Sequence, residues 1–157
     1  AKYCYAQKGA YIWSNVSPAF QHRYLATKCD SFVDKMIAEI KKKNVDMLRV
    51  HDSGDYYSKK YINKWVAIAK ALPDVKFYSY TKSIPLFLDQ DMPSNFDIIY
   101  SEGGTRDDLI DYSKDRHCKI FNDMESLNNA GYVCDMDSDV MATKWFNRSN
   151  KVGLIMH

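Results

Sequence analysis

A chain of 157 residues with 46% hydrophobic and 27% charged side chains has the composition of one globular core, able to bury roughly two thirds of its unfolded surface. No apolar run approaches the roughly 20 residues that span a bilayer, which argues against membrane insertion. The net charge of +2 arises from 22 basic and 20 acidic residues that are largely interspersed, so electrostatics alone gives no ground for a nucleic-acid partner.

The opening Ala-Lys-Tyr-Cys has neither an initiating Met nor a secretory apolar stretch, so an interior start is expected, with a further segment upstream. After residue 30 the chain alternates helical and strand periods, the pattern of βα units on a mostly parallel sheet. Ser31 to Asp34 reads as a capping box, Val33, Ile37 and Ile40 share a helical face, and Lys41 to Lys43 complement the negative end of that helix, which should stop at Asn44. Residues 45–50 read as a buried strand and Asp52 to Asp55 as the turn after it. Tyr61, Trp65, Ile68 and Leu72 recur at the spacing of a second amphipathic helix that Pro73 ends. Residues 75–81 form the next strand, Ser83 to Pro85 opens a short helix, and residues 96–101 form a further strand running into Glu102-Gly103-Gly104. Residues 118–121 are strand-like, Asp123 caps the helix that follows, and Gly131 stops it. Residues 132–150, with Asp135, Asp137 and Asp139, read as a solvated polar loop leading to a short helix, and residues 152–156 as a last strand. Without repeats or linkers, the reading is a single α/β domain over residues 1–157.

In parallel α/β sheets, ligands bind where the strands end. That rim should carry Arg49, His51, Asp52 and Asp55 after the first strand, Tyr80 and Lys82 at the second, Ser101, Glu102 and Gly103 at the third, and His157 after the last. Period-2 alternation puts Arg49 and His51 on one face, and Gly54 permits a turn that aims Asp52 and Asp55 back toward them. An imidazole, two carboxylates and a guanidinium in one pocket suit general acid/base catalysis or a divalent metal. A helix cap and a structural ion pair account for the same residues without chemistry. Tyr78, Tyr80 and Lys82 alternate onto one face and offer stacking surfaces and a cation to a planar, anionic ligand; packing between sheet and helix is the other reading. The glycines at 103 and 104 can present backbone N–H groups to a ligand, though without phosphate-loop spacing. Cys4, Cys29, Cys118 and Cys134 are too far apart in sequence for a zinc ribbon or a disulfide framework, and reduced cytoplasmic thiols fit them better.

Cys4-Tyr5-Ala6-Gln7-Lys8-Gly9, RVHDSGDYYSKKYINKW over 49–65, FYSYTKS over 77–83 and the closing KVGLIMH together resemble the phage and plasmid family called gene product 88. In layout that family is similar to radical-SAM proteins, whose cysteine cluster precedes the first strand of an incomplete (β/α) barrel. The resemblance implies such a barrel, an iron–sulfur cluster with Cys4 among its ligands, S-adenosylmethionine as a cofactor, and a place in the host-cell cytoplasm. Family members carry further cysteines upstream of Cys-Tyr-Ala, and one thiolate cannot hold a four-iron cluster, so either the segment expected before residue 1 holds the remaining ligands or the cluster has been lost. The leading expectation is a phage-encoded, radical-SAM-like enzyme domain acting on a small molecule or nucleotide at the rim. A module binding nucleic acid or a host protein through the same rim, and a metal-dependent hydrolase using His51, Asp52 and Asp55, are the alternatives.

Overall fold

The computed structural model describes residues 13, 14, 16–135 and 138–156. In chain order the elements are α1 (Ser17–Lys28), α2 (Phe32–Lys43), β1 (Met47–Arg49), α3 (Lys59–Ala71), β2 (Lys76–Thr81), β3 (Phe96–Ser101), β4 (His117–Phe121), α4 (Met124–Asn129), β5 (Val133–Cys134) and β6 (Lys151–Ile155). Short 3-10 turns fall at Ile84–Leu86, Asp107–Leu109 and Asp139–Ala142. The six strands form one sheet, all parallel, in the order β1-β2-β3-β4-β6-β5, curled into a half-barrel.

The five strands expected from the sequence are all present and all parallel, as the intervening crossovers require. Helix ends follow local chemistry. Asn44 takes the left-handed conformation that closes α2, with φ of 50°. The Ser58 hydroxyl accepts the Tyr61 N–H to open α3, and the Asp123 carboxylate accepts the Ser126 N–H to open α4. The capping box expected at Ser31 is not made: its backbone sits at φ −72° and ψ 0°, outside cap geometry, and its side chain bonds no helix amide. Residues 132–150 are not simply a polar loop, since they contain β5 as an extra edge strand and a 3-10 turn.

Two apolar layers flank the sheet. On one face, Ile62, Trp65, Ile68 and Ala69 of α3 and Ile40 of α2 pack on Phe77 and Phe96. On the other, Tyr78, Ile99, Cys118 and Val152 meet Ala142 and Trp145 from the segment before β6. Because helices lie outside the sheet in (β/α) layouts, the second layer is the inner face of the half-barrel. No described helix is long and apolar enough to cross a membrane.

Candidate functional site

At the end of β1 the structure sends Arg49 and His51 to opposite faces. Arg49 stays on the inner face: its guanidinium lies 5.0 Å from the Tyr80 ring centre, pairs with the Asp139 carboxylate, and donates from Nε to the His51 carbonyl at 3.2 Å. His51 has φ of +67°, which breaks strand alternation and turns its ring to the helix-covered face. There its Nε2 lies 3.0 Å from the Tyr61 hydroxyl, and its ring meets that of Tyr56 edge-on at 4.6 Å. The shared pocket expected for Arg49 and His51 is therefore divided by the sheet. Alternation holds only while the backbone stays extended.

Asp55 stays near enough for its charge to act on His51, but its carboxylate is spent elsewhere. One carboxylate oxygen accepts from the Thr81 hydroxyl (2.6 Å) and the Tyr56 N–H (2.7 Å), and the other from the Lys82 N–H (2.8 Å). It staples the β1–α3 turn to the end of β2, with Gly54 supplying a φ of +86°. Asp52 is exposed and, with His51 and Tyr61, lines a cleft of about 1070 Å³ between α1, α2 and this turn.

Burial holds the His51 imidazole near pKa 4, below its usual 6.5, with the negative Asp55 offsetting part of the effect. The unfolded chain thus takes up this proton first, and stability falls as pH drops from about 6.5 toward 4, by about 3 kcal/mol at most. Asn accepts a positive φ and does not titrate, so His51→Asn should flatten this dependence. Urea midpoints measured near neutrality and at about pH 5 test it; equal acid sensitivity in both proteins would assign the loss to other groups.

The inner face gathers a second set. The Tyr80 hydroxyl donates to Asp135 at 2.9 Å, and Asp135 is only 3% exposed. Burial pushes the Asp135 carboxyl up, Asp139 adds to this, and the Tyr80 bond and the Arg49 charge oppose it. This corrects the solvated-loop reading for Asp135; Asp139 is half-exposed beside Arg49, and Asp137 lies outside the described residues. Lys82 donates from Nζ to the Glu102 carbonyl, with the Ser101 carbonyl at 3.5 Å. The Glu102 side chain accepts from the Tyr132 hydroxyl at 2.9 Å. Gly103 and Gly104 do not hold their N–H groups out for a ligand, because the Asp107 carboxylate takes both, at 2.8 and 3.0 Å. That loop carries its own anion.

Cys4 and His157 lie outside the described residues. Among the described residues, no three of His, Cys, Asp and Glu converge as a group able to hold a metal. Cys29 is exposed at the end of α1, Cys134 sits on β5, and Cys118 is buried with its thiol pushed up to about 12 by that burial. A thiolate is needed to bind iron, which burial opposes at Cys118, and the three described cysteines are not part of any converging ligand group.

The model of the family described as gene product 88 matches residues 1–155. The chain belongs to the gene product 88 family. Two curated gene product 88 relatives, each named Gene 88 protein, come from mycobacteriophages. The chain is 25% identical to that of Mycobacterium phage L5 over 133 residues, covering 76% of the chain and 56% of the relative. It is 27% identical to that of Mycobacterium phage D29 over 114 residues, covering 64% and 48%. This gene product 88 chain thus spans about half the length of the curated relatives it matches. No solved structure matches it.

Proposed function

We propose that this chain is the ligand-binding half-barrel of a phage enzyme, taking a small molecule at the inner strand-end rim where Arg49, Tyr80, Lys82, Ser101 and Asp135 meet. The observation that carries this reading is the buried Asp135 carboxylate. Core packing gains nothing from a carboxylate there, and buried ionisable groups beside a charge partner at strand ends mark functional sites more often than chance. Asp135, whose carboxyl burial pushes up, can hold or pass a proton to a bound molecule while the Tyr80 hydroxyl orients it, and Arg49 and Lys82 exchange their present partners for the molecule's polar groups. The iron–sulfur cluster that the family resemblance implies would take Cys4 as its ligand from this chain, and S-adenosylmethionine would be among the small molecules to try at the rim.

Asp135→Asn tests the reading. Because burial raises the Asp135 pKa, the ionised group costs stability once pH rises past the ordinary carboxylate range, and the amide removes that cost while keeping the Tyr80 bond. The melting temperature should stay unchanged or rise, as where function is held at the expense of stability. Calorimetric titration of the anaerobically purified chain with S-adenosylmethionine and with other small metabolites should find a ligand whose affinity falls about tenfold or more in the variant. A clear loss of melting temperature with unaltered binding would make Asp135 structural.

A further inference from the structure

The helix-covered side carries an aromatic and basic cleft that the inner-face reading does not use. Its floor is a pre-set shelf. Tyr57 and Tyr61 stack in parallel, 4.8 Å apart at 11°, and Tyr24 meets Tyr57 edge-on at 5.2 Å. The Tyr57 hydroxyl is 2.7 Å from the Thr27 hydroxyl, which fixes the ring, yet Tyr57 is 43% and Tyr24 40% exposed. An apolar pair needs no such exposure, and a held aromatic face open to solvent is a surface for another planar ring.

Charge surrounds the shelf. Arg23 and Lys35 line the main cleft, and a smaller adjoining cleft of about 280 Å³ shares Thr27, Tyr57 and Tyr61 with it and is lined by Lys28, Lys60 and Lys64. Glu39, Asp52 and Asp55 are the acidic residues on these walls. Lys64 is committed to the carbonyls of Thr27 and Cys29, both at 2.7 Å, and Lys28 sits 4.2 Å over the Tyr24 ring. The smaller cleft is lined by lysines and no carboxylate, while the main cleft mixes Arg23 and Lys35 with Glu39 of α2 and with Asp52 and Asp55 of the β1–α3 turn. A ring on the shelf with an anionic tail toward Lys28 and Lys60 matches both features, and a volume of about 1070 Å³ is of the size that encloses a small-molecule ligand.

We infer that this cleft binds a nucleotide, its base stacked on Tyr57 with Tyr24 standing edge-on beside it, and its phosphate held by Lys28 and Lys60. The same chemistry can come from a free nucleotide or from a single-stranded nucleic acid. The two sources differ in reach, since a strand continues past the cleft and adds salt-sensitive phosphate contacts.

The whole chain is titrated with AMP, and separately with a labelled oligothymidylate of about ten nucleotides at low and high salt. Tyr57→Ala removes the shelf and Tyr57→Phe keeps it. Lys28→Ala removes an exposed cation without touching the core. Binding of AMP that falls about tenfold or more in Tyr57→Ala, holds within a few-fold in Tyr57→Phe and weakens in Lys28→Ala supports the site with a free nucleotide as its ligand. Binding of the oligonucleotide alone with that same variant pattern supports it with a strand as the source. Absence of binding by both probes, or equal affinity in wild type, Tyr57→Ala and Lys28→Ala, overturns it. Circular dichroism melts separate misfolding from lost binding, and Lys28→Ala decides alone if Tyr57→Ala is unfolded. Asp135→Asn should leave this binding unchanged, so failure at the inner rim and failure here are read independently.

Discussion

Arg116→Met is expected to destabilise the chain by about 3–5 kcal/mol, the range for breaking a buried ion pair by removing one partner. Arg116 Nη1 donates to the carbonyls of Ser149 (2.6 Å) and Ala142 (3.1 Å), and Nη2 to that of Asn147 (2.8 Å). Its Nε lies 3.4 Å from Asp97, and both side chains are under a tenth exposed. One guanidinium thus ties the segment before β6 to the edge of β4 and to β3. Methionine has similar length but no donor, so it leaves a carboxylate and three carbonyls in a dry site. Asp97→Asn should cost less, because burial already pushes that carboxyl up and its bond from the Lys144 N–H, at 2.6 Å, survives. Urea unfolding of the three proteins checks the order, and a wild-type midpoint for Arg116→Met would show that the segment is held by other contacts.

A second large effect is expected at Gly153 in β6, where no charge is involved. A Cβ at this position would lie 2.4 Å from Leu127 Cδ1 and 2.6 Å from Cγ. Leu127 is fully buried on α4, so its side chain has little room to yield. Gly153→Ala should cost about 1–3 kcal/mol by overpacking. The same methyl group placed opposite Leu127→Ala no longer meets these Leu127 atoms, so the double variant should be more stable than the sum of its single changes predicts. Strict additivity in thermal or urea melts would remove close packing as the reason for the glycine.

Buried parallel strands advertise themselves as apolar runs between helical periods, and Pro73, Asn44 and Asp123 mark element ends by their own chemistry, so these were readable. The helix α1 was not, because its Tyr24 and Leu25 are exposed and it has no side-chain cap to announce it. The strand β5, two residues long, is too short to show a period. At the site, the residues of the β1–α3 turn were legible as a polar cluster, but their grouping was not. A single positive φ at His51 sends its ring away from Arg49, and no local pattern encodes that. Asp135 was hidden for the opposite reason. It stands among other aspartates in a polar stretch, and only the distant Tyr80, 55 residues earlier in the chain, makes it a buried group.

The order of strands also bears on how the chain is made. The strand β6 lies between β4 and β5, although it leaves the ribosome after both. Until residues 151–155 emerge, the open edge of β4 has no native partner, and β5 has nothing to pair with at all. Exposed strand edges recruit other chains, so the nascent protein passes through a window in which self-association competes with completion of the sheet. Arg116, immediately before β4, bonds carbonyls just ahead of β6, so its grip forms only when the late strand reaches its slot. A weakened grip should show first as lower soluble yield during synthesis, before any change in the finished molecule is measured.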